Sequence, residues 1–113
     1  MKIYLATPYS HKHGWVMQYR FEVINTVAAK LMLQGYHVFS PISHTHPIAH
    51  AGDLPKGFDF WKEYDLAFIE WCDEVWVFTA DGWKESVGVN TEILIAELMS
   101  KPVRYKTPEE YSM

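Results

Sequence analysis

Apolar runs of strand length alternate with helix-length segments along the whole chain, and that alternation restricts the fold more than any single motif does. The strand-like runs are KIYLA (2–6), YHVFS (36–40), EVWVFTA (74–80) and PVRY (102–105). Between them lie a helix of about twenty residues ending at Gly35, a helix across residues 58–72, and a third beginning near Val87. The run at 74–80 is apolar enough to be buried on both faces. The pattern predicts an α/β protein in three layers, with helices on both faces of a parallel sheet of four or five strands. Residues 41–57, rich in Pro, Gly and His, read as a long functional loop. The charged tail from Lys106 reads as a frayed end.

A flavodoxin-like winding of that sheet is the expectation. No repeat, linker or low-complexity tract divides the 113 residues, of which 49% are hydrophobic, so a single domain over 1–113 with one real core is expected. The net charge of −4 and the scattered Lys and Arg leave no basic stripe, which argues against a nucleic acid polymer as partner. Cys72 is the only cysteine; it excludes an internal disulfide and is ordinary for a reducing compartment. No apolar run approaches a membrane span, and the first ten residues have too short an apolar core for a signal peptide. A cytoplasmic location is the expectation, with no membrane partner.

In an open parallel sheet, ligands bind beyond the carboxyl ends of the strands. Three loops gather there: TPYSHKHG (7–14), the His-rich segment after Ser40, and DGWKESVG (81–88). The segment SVGVNTEILIAELMSKPV (86–103) places Glu92 on the same helical stripe as Gly88, Ala96 and Met99, facing inward, whereas Glu97 points to water. A carboxylate at the head of an apolar stripe is a candidate reactive group, or else a half-buried acid satisfied by a neighbour. Ser86 sits at the N-cap, where Ser86, Gly88 and the free N–H groups of the helix start suit a phosphate; the plainer role of Ser86 is to cap the helix.

The pairing of EYDLAFIEWCDEVWVF (63–78) with SVGVNTEILIAELMSKPV (86–103) resembles the nucleoside 2-deoxyribosyltransferase superfamily, which includes the 2′-deoxynucleoside 5′-phosphate N-hydrolases. IYLATPYSH (3–11) and DGWKES (81–86) are similar to a small, poorly characterised bacterial and phage branch of it. The resemblance implies that Glu92 attacks the anomeric carbon and expels the base, leaving a glycosyl ester. It implies that Asp65 assists the leaving base or contacts the sugar, and that Tyr4 orients the nucleophile. Ser86 matches a serine of the phosphate-binding hydrolases, which favours a 5′-monophosphate over a free nucleoside. Tyr9, Ser10, His11, Arg20 and His46 match the small branch only and are carried as substrate-binding candidates. Tyr9 or Trp83 is placed against the base, since flat aromatic faces stack on heterocycles. Arg20 has the alternative of an ion pair with Glu22, and Asp73 that of orienting a strand entry.

His44, His46 and His50 invite a metal site, but a loop containing Pro47 supplies neither fixed geometry nor oriented partners. The superfamily chemistry needs no metal, and none is expected, nor any cofactor. The resembled transferases complete their sites with carboxyl-terminal residues of a neighbouring subunit; the absence of an obvious equivalent makes hydrolysis the leading expectation and base-to-base transfer a secondary one. A homodimer is expected, with some of the rings Trp61, Phe68 and Trp71 in a twofold interface. The expected function is cleavage of the N-glycosidic bond of a (2′-deoxy)ribonucleoside 5′-monophosphate. The alternative is a non-catalytic module that binds a nucleotide in the same crevice.

Overall fold

The structure is a computed structural model that describes residues 1–55 and 58–112. Its order is β1 (Lys2–Ala6), α1 (Gly14–Leu33), β2 (His37–Phe39), α2 (Pro41–Gly52), α3 (Phe58–Trp71), β3 (Glu74–Phe78), α4 (Val87–Leu98), β4 (Val103–Lys106) and a 3₁₀ turn (Pro108–Tyr111). The four strands form one parallel sheet in the order β2-β1-β3-β4. The chain winds first to one side of β1 and then to the other, so the switch point between β1 and β3 opens a crevice at their carboxyl ends.

Alternation along the two central strands builds two cores. Ile3, Leu5, Trp76 and Phe78 face Ile24, Val27, Ala28 and Leu31 of α1. Tyr4, Ala6, Val75 and Val77 face Ile69 and Cys72 at the end of α3 and Val89 and Ala96 of α4. Period-two strands meeting period-3.6 helices account for both layers. This is the three-layer, flavodoxin-like α/β arrangement that the alternation of elements implied.

Helix α1 ends as its sequence directs. Gly35 adopts φ +98°, the Gly35 N–H donates to the Met32 carbonyl and the Tyr36 N–H to that of Leu31; this pattern closes a helix and turns the chain into β2. Asp73 accepts the Lys2 N–H at 2.8 Å and so ties the entry of β3 to β1.

Two expectations are corrected. Residues 41–52 of the expected loop form α2, whose buried face is Pro41, Thr45, His46 and Ala49; Lys56 and Gly57 of that loop lie outside the described residues. Half of that face is polar and Pro47 interrupts it, so no apolar period announced the helix. The tail is not frayed up to Ser112: Thr107 and Glu110 close a capping box, Tyr111 packs on Phe78 at 6.1 Å between ring centres, and the Lys30 ammonium donates to the Tyr111 carbonyl at 2.6 Å. The rings assigned to a twofold interface have work within the chain. Trp61 is buried, Phe68 stacks on Phe39 at 3.8 Å, and Trp71 lies under the Lys2 ammonium at 5.3 Å.

Two glycines test the backbone account. A Cβ on Gly35 would meet nothing within 4 Å, so Gly35→Ala is expected to cost only left-handed strain, about 1–2 kcal/mol. At Gly82, with φ +89°, a Cβ would also lie 2.8 Å from the Arg20 guanidinium, so Gly82→Ala is expected to cost more. Urea melts of both variants check the ranking; equal losses would contradict it.

Candidate active site

The site begins in the middle of the sheet. Tyr4 is fully buried on β1, and its side chain points to the face covered by α3 and α4. On α3 the inward residues are Trp61, Asp65 and Ile69, with Cys72 just past its end, so Asp65 occupies a core position of that helix. On α4 the inward residues are Val89, Glu92 and Ala96. One acid from each helix therefore descends on the Tyr4 hydroxyl, which donates to a Glu92 carboxylate oxygen and also hydrogen-bonds Asp65.

Burial sets the charge of this cluster. It pushes the Asp65 carboxyl up to about 6, against a smaller downward pull from the Tyr4 hydroxyl. It also raises Glu92 well above the carboxylate range, aided by the Asp65 charge and opposed by the Tyr4 hydrogen bond. Tyr4 is itself held protonated by burial and by both neighbouring acids. Near neutrality the two carboxyls thus compete for a proton, and a pair whose members cannot both ionise cheaply divides naturally into an acid and a base.

Asp65 and Glu92 open onto a cavity of about 400 Å³, a size that suits a small organic ligand. Its wall comes from all three strand-to-helix connections: Thr7, Tyr9 and Ser10 after β1; Pro41, Ile42 and Thr45 after β2; Glu85, Ser86, Val87 and Gly88 after β3. Ser86 caps α4, accepting the Val89 N–H at 3.2 Å. Trp61 completes the wall from α3, its indole N–H bonded to the Pro55 carbonyl at 2.7 Å.

Of the residues singled out from sequence, Tyr4, Asp65 and Glu92 meet in one cluster, and Tyr9, Ser10, Ser86 and Gly88 share the cavity wall with the two acids. The others lie elsewhere. Arg20 points its guanidinium at the carbonyls of Tyr9, Ser10 and Asp81, at 3.3, 3.1 and 3.1 Å, which fastens the first and third loops together. It makes neither the Glu22 pair nor a place on the wall. His11 accepts the His13 N–H at 3.0 Å. His46 is buried behind Tyr9, and Trp83 packs on the α3/α4 core beside Tyr105 at 5.5 Å. His44 faces Phe39; among the described residues no three His, Cys, Asp or Glu side chains gather as metal ligands. Thr7, Thr45, Trp61 and Glu85 were missed. Trp61 was within reach, because it lies one turn before Asp65 on the same face.

Residues 1–107 of the chain match a family described as a domain of unknown function, DUF1937. The chain belongs to that family. Comparison with curated proteins gave no match. Among solved structures, this DUF1937 domain is similar to a 2-deoxyribosyltransferase from the psychrotolerant bacterium Bacillus psychrosaccharolyticus, with a TM-score of 0.64 and 24% identity over 96% of this chain and 73% of that one. The similarity shows that the two share a fold.

The raised acids make stability depend on pH. Asp65 rises from an ordinary 3.8 to about 6, so the folded state binds its proton more tightly than the unfolded chain does. Its stabilising contribution is present below about 4 and is lost as pH climbs through about 6. Asp65→Asn removes that loss, on the order of 2 kcal/mol at pH 8. Thermal melts are expected to show the variant several degrees above the parent at pH 8, with the difference vanishing near pH 4. A variant less stable than the parent at pH 8 would contradict the account.

Proposed function

We propose that this DUF1937 domain cleaves the N-glycosidic bond of a (2′-deoxy)ribonucleoside 5′-monophosphate, with Glu92 as nucleophile and Asp65 as general acid. The observation that carries the reading is the pair of buried acids joined through the Tyr4 hydroxyl at a cavity of about 400 Å³. The shared fold with a protein described as a 2-deoxyribosyltransferase, and the sequence resemblance carried by residues 63–78 and 86–103, support the same class of chemistry.

The steps balance in atoms and charge. A Glu92 carboxylate oxygen bonds to the anomeric carbon as the carbon–nitrogen bond breaks, and its electron pair leaves with the base. Asp65 gives its proton to the departing nitrogen, which makes the base a better leaving group. Water then attacks the glycosyl ester, passes a proton to the Asp65 carboxylate, and releases the sugar and the Glu92 carboxylate. A second base in place of water would give transfer. The chemistry needs the shared proton on Asp65 and the charge on Glu92. The Tyr4 hydrogen bond draws both acids toward the ionised form, so the proton reaches Asp65 when the substrate occupies the cavity and Glu92 engages the sugar.

The start of α4 supports a phosphate at the 5′ end of the sugar. Ser86 and Gly88 line the same cavity as Glu92, and the first N–H groups of a helix carry partial positive charge toward an anion. Glu85, exposed on the same wall, opposes it and makes the Ser86 contact the decisive one.

Incubation with a panel of nucleosides and their 5′-monophosphates, followed by chromatography of released bases, tests the reading. Glu92→Gln is expected to lower base release at least about a thousandfold in a folded protein, and Asp65→Asn by about 10²–10⁴. Ser86→Ala is expected to weaken use of monophosphates about tenfold more than use of nucleosides. Full turnover in Glu92→Gln would reject the nucleophile. Ligand-dependent thermal stabilisation without any base release would assign the chain to nucleotide binding alone.

A further inference from the structure

His46 is a buried titratable side chain that the proposed chemistry leaves unused. It sits on α2 at 6% exposure, stacked on Phe21 of α1 at 4.3 Å between ring centres and 26° between planes. Each ring nitrogen faces a partner: Nε2 lies 2.9 Å from the Gln18 Oε1, and Nδ1 lies 2.6 Å from the Tyr9 hydroxyl. The Gln18 amide is oriented in turn, because its Nε2 donates to the Glu22 carboxylate at 3.3 Å.

Donor and acceptor capacity sets the directions from Glu22 through Gln18 to the His46 Nε2. Glu22 can only accept, so the Gln18 nitrogen faces it and the Gln18 oxygen faces His46. An amide oxygen can only accept, so the His46 Nε2 carries a hydrogen. In a neutral imidazole the other nitrogen is then bare, and it accepts the Tyr9 hydroxyl proton. Burial raises Tyr9 above its usual value of 10 and keeps that hydroxyl protonated. The ring of Tyr9 meets that of His46 edge-on at 85°, and Tyr9 lines the cavity with Asp65 and Glu92. Its backbone carbonyl is held separately by Arg20 at 3.3 Å.

We propose that His46 is a positioning residue that, as the neutral Nε2–H tautomer anchored by Gln18, takes the Tyr9 hydroxyl and fixes the Tyr9 ring as a wall for the flat part of the substrate. The identity of that flat part as a nucleobase rests on the proposed function; the tautomer and the anchoring do not. His46 thus acts on the ligand only through Tyr9, which explains how a histidine outside the cavity wall can matter to binding.

Two measurements test this. On the unmodified protein labelled with nitrogen-15 in histidine, NMR at neutral pH is expected to show the His46 Nδ1 as the unprotonated nitrogen and Nε2 as the protonated one. The opposite tautomer, or a ring protonated on both nitrogens, would overturn the anchoring whether or not the protein turns over any nucleotide. Kinetics with 2′-deoxynucleoside 5′-monophosphates then read the consequence. His46→Phe and Tyr9→Phe are each expected to raise KM about tenfold with kcat changed less than about threefold, and the double variant no further than either single one. His46→Gln, which keeps one donor and one acceptor, is expected to restore most of the parent KM. A loss in kcat at unchanged KM, or KM effects that multiply to about a hundredfold in the double variant, would show that His46 does not act through Tyr9.

Discussion

Two acids buried against one tyrosine hydroxyl are the constraint around which the rest of the structure is arranged. Asp65 and Glu92 occupy positions where α3 and α4 would otherwise present apolar side chains to the sheet. Burying ionisable groups there is costly unless they are hydrogen-bonded and at least one is neutral. Tyr4 meets both needs from the centre of β1, which is flanked by β2 and β3 and sealed by helices on either face. The neighbours make the defect tolerable: Ile69 on α3 and Cys72 just past its end follow Asp65, Val89 and Ala96 bracket Glu92 on α4, and all join one apolar cluster. Such a pair lowers stability, a trade common at functional sites.

The cavity above the acids depends on the segments that follow β1, β2 and β3, and α1 holds them. Arg20 reaches from the helix to carbonyls on the first and third loops, while Gly82 leaves room for its guanidinium. Gln18, one half-turn earlier, reaches the second connection through His46. Glu22 orients Gln18 in turn. A single long helix on the far side of the sheet therefore sets the shape of a cavity whose reactive groups come from the other face.

How far the sequence reveals this differs from element to element. Helix α1 has its length and the Gly35 stop, strand β3 is a nearly continuous apolar run, and the spacing of Gly88, Glu92 and Ala96 on α4 turns Glu92 toward the sheet. Helix α2 carries no such signal, because Thr45 and His46 form half of its buried face and Pro47 lies inside it. Its order comes from packing against α1 and β1, which local sequence does not display. The tail misleads for a similar reason: Tyr111 is anchored by a lysine 81 positions earlier. Asp65 and Tyr4 are identified through resemblance, since an acid in an amphipathic helix reads as solvated until its partner is known. Trp83 has a polar setting in sequence but an apolar one in space, against Tyr105 and the α3/α4 core. Thr7 and Thr45 lie in segments the sequence marks as ligand-facing, but as single polar residues neither stands out within its segment.

The central claim is that Glu92 forms a covalent bond to the sugar. It is tested most directly by quenching the reaction in acid during turnover of a 2′-deoxynucleoside 5′-monophosphate and measuring the mass of the intact protein and of its proteolytic fragments. The account predicts a fraction of protein heavier by one deoxyribose phosphate, with the added mass on the fragment containing Glu92 and absent from Glu92→Gln. Base release at full rate with an adduct on another residue, or with product of inverted configuration at the anomeric carbon and no adduct, would contradict it.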